Sequence, residues 1–514
     1  MKRCPTCQHT YADQTIKFCR YDGTPLTSDL SLESSETLIL PTAPQSADIL
    51  TYSLQNTTSI AVLPFVNISA DQENEFFCDG LAEELINVLT KIETLHVAAR
   101  TSAFSFKGSK VDAREIGRRL NVGTILEGSV RKAGDRLRIT AQLINAADGY
   151  QLWSERYDRR MDDIFDIQDE ISLAIVDALK VKLLGEEKAA LLKRRTESKK
   201  AYECYLKGRF YWNKRTVEGL KKGVEYFRQA IDIDPGYAAA YAGLSDSYII
   251  LSAREELSLE DGFAKAKVAA TTALKIDDTL AEAHASLAHA MLHHWDWTEA
   301  EREFQRAFEL NPNYPSAHHW YSEYLLATSR FEEAIAEVKR AQELDPLSLI
   351  INQHIADILY RARRYDESIE QSRKTLEMDS NFWLSHLILG EAYGEKGMYE
   401  EAIAEIQRAS DLSEESPEVI SLLGYTYAKM GQKDEARNMI DNLGEWVRGS
   451  FVPSFFIAKI HAGLGEKDQA FEWLEKAYEK RAYALFTLNV DPQFDSLRSD
   501  LRFTDLVRRI GLMP

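Results

Sequence analysis

The chain has 514 residues, with 62 Lys+Arg against 81 Asp+Glu and a formal net charge of −19. That surplus of acid argues against a surface built to grip nucleic acid or anionic lipid, and the length exceeds one compact domain. Hydrophobic residues at 45% and charged residues at 28% are ordinary globular values and exclude wholesale disorder. No run of about 18 apolar residues occurs, so no membrane-spanning helix is expected. The first residues carry no apolar signal region, and a cytoplasmic chain is expected.

Residues 1–26 hold three of the five cysteines. Cys4, Cys7, Cys19 and Asp22 form C-x2-C-x11-C-x2-D, the spacing of two facing knuckles of a zinc ribbon. The fourth position is a carboxylate, which can ligate zinc; His9 is the alternative fourth ligand, and a ribbon without metal is the other reading. Lys2, Arg3, Lys17 and Arg20 against two acidic residues make this the one basic segment. It has few aromatic residues for base stacking, so a small structural module holding one zinc is expected over a nucleic-acid contact. Residues 27–57 are rich in Ser, Thr and Pro and read as a flexible linker.

Residues 58–185 alternate strand and helix signals. Ser59 to Phe65 is a short apolar run, as is Leu95 to Ala98, both patterns of buried strands. Leu81 to Ile92 has helical spacing, and Asp112 is positioned to cap a helix ending at Leu120. Leu137, Ile139, Ala141 and Leu143 alternate with polar residues after a turn at Ala133-Gly134-Asp135. Tyr150 to Tyr157 is a further strand, and Ile164 to Ala178 an amphipathic helix. A mixed-sheet α/β domain is expected, followed by a connecting helix over 186–200.

From 201 to 482 the chain reads as all helix and repeats itself. Ala300, Ala334, Ser368, Ala402, Ala436 and Ala470 stand 34 residues apart, and Phe304, Val338, Ser372, Ile406, Ile440 and Leu474 follow each by four. A 34-residue period with small residues at these offsets is the tetratricopeptide signature, in which small side chains let paired helices approach closely. Eight repeats are expected over 201–482, forming a superhelix, with 483–514 as a C-terminal cap.

On that template the first helix of each repeat lines the concave groove. Its ninth position reads Asp246, His289, Glu323, Asp357, Glu391 and Tyr425 in successive repeats, an acidic stripe that suggests a basic or amine-bearing peptide partner. His293 and His319 also face the groove beside His289 and Glu323; ordinary groove lining and a metal or anion site are both open readings. His284 and His318 are expected to pack between helices, and Cys78 and Cys204 to be buried thiols.

Several motifs now carry a family resemblance. Ser59-Ile60-Ala61-Val62-Leu63-Pro64-Phe65, Asp79-Gly80-Leu81-Ala82-Glu83-Glu84, Ala99-Arg100-Thr101-Ser102-Ala103-Phe104, Leu126-Glu127-Gly128-Ser129-Val130-Arg131, Gln151-Leu152-Trp153-Ser154-Glu155 and Asp163-Ile164-Phe165-Asp166-Ile167-Gln168 occur in that order. With the array behind them they resemble the bacterial TolB amino-terminal-like domain joined to tetratricopeptide repeats. Members of that family often carry an upstream winged-helix domain, protein kinase or nucleotidyl cyclase. The residues before 58 match none of these, so none of those activities is carried over.

Phosphate-loop, zinc-protease, nucleophile-elbow and kinase motifs are lacking. The sequence therefore points to a non-catalytic scaffold or adaptor of bacterial signalling that binds a protein partner through the groove, with no membrane contact. A transcription-associated regulator using the ribbon, and an enzyme with an unrecognised site in the α/β domain, are the rival readings.

Overall fold

The computed structural model describes residues 2–3, 10–11, 27–28, 58–69, 71, 74–181, 183, 193, 196–253, 257, 259–413, 416–445 and 453–512. The ribbon ligands Cys4, Cys7, His9, Cys19 and Asp22, and most of the expected connecting helix, lie outside these residues. The chain divides into two compact units, 1–55 and 56–514. In the first, three two-residue strands, β1 (Lys2–Arg3), β2 (Thr10–Tyr11) and β3 (Thr27–Ser28), pair antiparallel in the order β2-β1-β3.

The second unit opens with the α/β domain. Its strands are β4 (Thr58–Val62), β5 (Val66–Asn67), β6 (Leu95–Val97), β7 (Thr124–Ala133), β8 (Arg136–Asn145) and β9 (Gln151–Arg160), ordered β6-β4-β7-β8-β9 with β5 also on β7. β4 runs parallel to β6 and β7, whereas β7, β8 and β9 pair antiparallel, so the sheet is mixed as expected. Helices α1 (Glu75–Leu89), α2 (Arg100–Phe104), α3 (Ala113–Leu120) and α4 (Ile164–Ala178) accompany it. Asp112 caps α3 by accepting the Arg114 N–H at 2.8 Å. Gly128 admits no side chain, because a Cβ there would lie 2.3 Å from the Thr140 carbonyl oxygen and 2.5 Å from the Phe65 ring.

Sixteen helices follow in eight hairpin pairs among the described residues: α5 (Lys199–Trp212) with α6 (Val217–Ile233), α7 (Ala238–Ala253) with α8 (Leu259–Ile276), α9 (Ala281–His293) with α10 (Trp297–Leu310), α11 (Pro315–Ala327) with α12 (Phe331–Leu344), α13 (Leu349–Arg361) with α14 (Tyr365–Met378), α15 (Trp383–Glu395) with α16 (Tyr399–Leu412), α17 (Pro417–Lys429) with α18 (Lys433–Glu445), and α19 (Ser454–Leu464) with α20 (Lys467–Glu479). The periodic small residues are what close these pairs: Ala300, Ala334, Ser368, Ala402, Ala436 and Ala470 have no exposed surface. His284 and His318 do pack between helices. Each places Nδ1 2.6 Å from a glutamate of the paired helix, Glu303 or Glu337, and Nε2 against a carbonyl of the preceding turn.

Every hairpin turn from the third pair onward has one left-handed residue, again 34 apart: Trp295, Ser329, Arg363, Gly397, Gly431 and Gly465. Glycine takes that conformation without penalty, while other residues are strained by about 1 kcal/mol. The strained ones are those that touch the C-terminal region, taken from the last repeat helix onward. Trp295 stacks on Tyr478 at 5.3 Å, Ser329 Oγ accepts from Asn489 at 3.2 Å, and Arg363 donates to Asp495 at 2.6 Å.

That C-terminal region departs from the expected cap. Helix α21 (Leu501–Ile510) does lie on α20, through Arg502–Asp468 and Arg509–Glu475 ion pairs. Residues 483–497, however, turn back and run along the inner wall of the array in two 3-10 stretches, Tyr483–Thr487 and Pro492–Leu497. Leu485, Leu488, Val490, Phe494 and Leu497 are wholly or almost wholly buried there. At about 1.5–3 kcal/mol per side chain this burial contributes on the order of 10 kcal/mol, so the segment is part of the core rather than a loose cover.

Candidate functional site

The inner wall is built by the first helix of each pair. Near the C-terminal end of the array its polar residues converge on the returning segment. Asp491, with no exposed surface, forms ion pairs with Lys459 Nζ at 2.9 Å and Arg361 Nη1 at 3.2 Å. Burial alone would raise its pKa, but these two cations outweigh it and hold the carboxyl at about 2. Gln493 donates to Glu391 at 3.1 Å and to the Tyr360 hydroxyl at 3.4 Å. Burial pushes Glu391 up to about 8, so it stands neutral at pH 7. Asp357 accepts from Arg361 at 3.0 Å, and Tyr425 donates to Glu395 at 3.1 Å.

The open acidic stripe expected from the ninth-position column is therefore corrected. Asp357 is paired within its own helix, Glu391 is neutral and covered, and Tyr425 is buried. Asp246 is buried too, accepting from Ser286 and facing Arg209 at 3.6 Å. The cations that answer Asp246, Asp357 and Asp491 come from the chain itself. Arg361, Lys459, Asp491 and Gln493 were not singled out in the sequence; the break of the 34-residue period at Asp491-Pro492-Gln493-Phe494 was the available signal.

His289, His293, His319 and Glu323 do come together, with His354 as an unforeseen fifth member. His289 Nε2 is 3.1 Å from Glu323 Oε2, His319 Nε2 is 3.7 Å from Oε1, and the His319 and His354 rings are 4.9 Å apart. Burial and neighbouring imidazoles hold His319 at about 3 and His293 well below the usual range. Burial would raise Glu323, but the His289 hydrogen bond and three nearby imidazoles keep its carboxyl low.

The α/β domain packs on both the first and the fourth pair of the array. Glu83 of α1 accepts from Arg209 at 2.6 Å, Arg100 at 2.9 Å and Asn213 at 2.9 Å. Ser102 N–H donates to Asp345 at 3.0 Å, Ala99 N–H donates to the Leu344 carbonyl at 3.0 Å, and Leu347 joins the apolar cluster around Ala61 and Ile125. Cys78 lies buried in α1, its thiol pushed up to about 12 by burial, and is inert as a nucleophile; Cys204 is only partly buried.

Arg215 sits beside this junction on the turn after α5, left-handed at φ 55° like the strained turn residues above. It is solvent-exposed, its guanidinium lies 3.6 Å over the Trp212 ring, and it makes no ion pair and no side-chain hydrogen bond among the described residues. Arg209 and Arg100 are like charges acting on it, and Asp246 an opposite one. Arg100 and Arg209 pair with Glu83, and Arg209 also faces Asp246, while Arg215 pairs with neither among the described residues.

Residues 280–348 and 390–431 match tetratricopeptide repeat families, and residues 55–174 match the family described as HilA/YgeH-like transcriptional regulator, second domain. A Rhizobium meliloti (strain 1021) protein provisionally named adenylate cyclase 3 is 43% identical over 187 residues, 36% of this chain and 32% of the relative, so the chain spans about a third of that relative's length. Among solved structures, a tetratricopeptide repeat protein from Parabacteroides merdae ATCC 43184 is 17% identical and covers 51% of this chain and 98% of its own, with a TM-score of 0.38. A thermophilic repeat protein of Thermus thermophilus is 21% identical over 35% of this chain and 98% of its own, with a TM-score of 0.32. No helix among the described residues is long and apolar enough to cross a membrane. The chain is a mixed-sheet α/β domain followed by a tetratricopeptide repeat superhelix.

Proposed function

We propose that this chain is a non-catalytic protein-interaction scaffold of bacterial regulation, and that it reads an anionic group of its partner at Arg215. Tetratricopeptide proteins are generally interaction scaffolds, and the regulator-type α/β family and the cyclase-named relative support a regulatory setting. Arg215 carries the reading. At the third to fifth turns, a side chain in the strained left-handed position is used to hold the C-terminal region, and where no such contact is made the residue is glycine. Arg215 occupies the matching turn of the first pair with its donors unspent and two like charges close by. A carboxylate or phosphate on a partner peptide completes that set, since guanidinium binds such groups in a bidentate fork.

Affinity capture from a lysate of the source organism, with the full chain and with Arg215→Glu, tests this. A protein held by the first, released by salt and lost from the second is the expected result. An identical set of captured proteins on both refutes it.

The ribbon stands as a second, separate proposal. Three thiolates with Asp22 or His9 suit one structural zinc. Metal content of the full chain falling in Asp22→Ala assigns Asp22 as the fourth ligand, and no zinc in either chain refutes the site.

A further inference from the structure

Three consecutive inner-wall helices bring one carboxylate between four imidazoles. His289 and His293 stand four residues apart on one face of α9, His319 and Glu323 do the same on α11, and His354 comes from α13. The ligand atoms of His289, His293 and Glu323 lie within 4.8 Å of one another, and those of His319, Glu323 and His354 do likewise. Four tetrahedral bonds of zinc length place donors about 3.4 Å apart, so small side-chain adjustments complete the first set.

Hydrogen bonding does not account for the arrangement. His289 and His293 are both more than nine-tenths buried, yet His289 Nδ1 and His293 Nε2 have no hydrogen-bond partner. Native interiors rarely leave such atoms unpaired. The rings are also held firmly. His293 packs against both Phe263 and Tyr483, each at 4.4 Å, and His289 stacks on Trp320 at 4.7 Å.

We propose that His289, His293 and Glu323 bind one divalent transition ion of the zinc class, with His319 and His354 flanking the other oxygen of the same carboxylate. The imidazole and carboxylate donor set suits zinc and its neighbours over calcium or magnesium. The ion would sit where Tyr483 brings the returning segment onto the wall, tying the two together.

The test uses the full chain with Cys4→Ser, Cys7→Ser and Cys19→Ser, which removes the three thiols near the N-terminus. Zinc is titrated in competition with a chromophoric chelator, and the thermal midpoint is read with and without zinc. One zinc per chain and a raised midpoint are expected. His293→Phe keeps the aromatic stack and removes the ligand, and Glu323→Gln removes the charge. Each is expected to weaken zinc affinity by about 100-fold or more while the far-ultraviolet circular dichroism is unchanged. The double variant His319→Ala, His354→Ala is expected to keep the ion. No zinc retained above the chelator background, or wild-type affinity in both His293→Phe and Glu323→Gln, overturns the proposal. Loss of zinc only in the His319/His354 variant overturns the assignment of its ligands.

Discussion

Replacing Asp491 with alanine probes whether the returning segment is built into the array. Asp491 is fully buried against Lys459 at 2.9 Å and Arg361 at 3.2 Å. Its removal leaves two nearly buried cations. Glu391, 4.0 Å from Lys459, is held up in part by Asp491 itself and ionises more readily once that charge is gone, recovering part of the loss, while Asp357 answers Arg361 alone. Breaking a buried pair in this way costs about 3–5 kcal/mol, because desolvated charge is left uncompensated. The Asp491 carboxylate also accepts the Gln493 N–H at 3.0 Å, so Asp491→Asn, which keeps an acceptor, separates the loss of charge from the loss of that bond. The assay is urea denaturation of the full chain at pH 7, read as the midpoint, with Lys459→Met alone and combined. The double variant is expected to be more stable than the two single losses summed, by about 1–3 kcal/mol of coupling. A loss below about 1 kcal/mol in Asp491→Ala, or strict additivity with Lys459→Met, refutes the reasoning.

Further expectations concern pH, backbone and interface. Glu391 has its folded pKa raised from 4.5 to about 8, so the unfolded chain ionises first and the group's contribution falls as pH rises from about 4.5 to 8. Glu391→Gln is therefore expected to be at least as stable as wild type at pH 8 and to flatten the stability–pH profile between pH 5 and 8, read by urea midpoints. Asp491 has the opposite sign: held at about 2, it stabilises the fold above pH ~4, and that stability is lost as pH falls through 2. Asp491→Asn should thus lose its deficit against wild type in acid. Gly431→Ala, at φ 79° with open space around it, should lower stability by about 1 kcal/mol through backbone strain alone. Glu83→Ala strips Arg100 and Arg209 of their shared partner and should cost about 3 kcal/mol, measured by thermal or urea denaturation.

The repeat architecture was legible because packing dictates it locally. Ala300 and its equivalents recur every 34 residues for the reason that a larger side chain would separate the paired helices, and a repeated geometric need leaves a repeated letter. Asp112 as a helix cap and the alternation from Leu137 to Leu143 were readable on the same grounds. Strand β7 was not, since Glu127, Gly128 and Ser129 interrupt its apolar pattern.

The ninth-position column reads as an acidic stripe in sequence, but in the fold Asp246, Glu391 and Tyr425 are buried. Some of its partners come from far along the chain: Gln493 lies 102 residues from Glu391. An acidic stripe in sequence carries no sign of the cations that three dimensions bring to it. The histidine cluster shows the same limit. Spacing of four marks the pairs on α9 and α11, but only the stacking of successive repeats sets His354 beside them. Arg215 left a weaker trace, a basic residue at a turn where later repeats use glycine.

Hydrogen exchange on the full chain, resolved over residues 485–497, tests most directly the claim that the array's inner wall is occupied by its own C-terminal segment. The account predicts backbone protection there equal to that of α13 and α15, since these residues open only with the array itself. Exchange as fast as that of an exposed turn would contradict it.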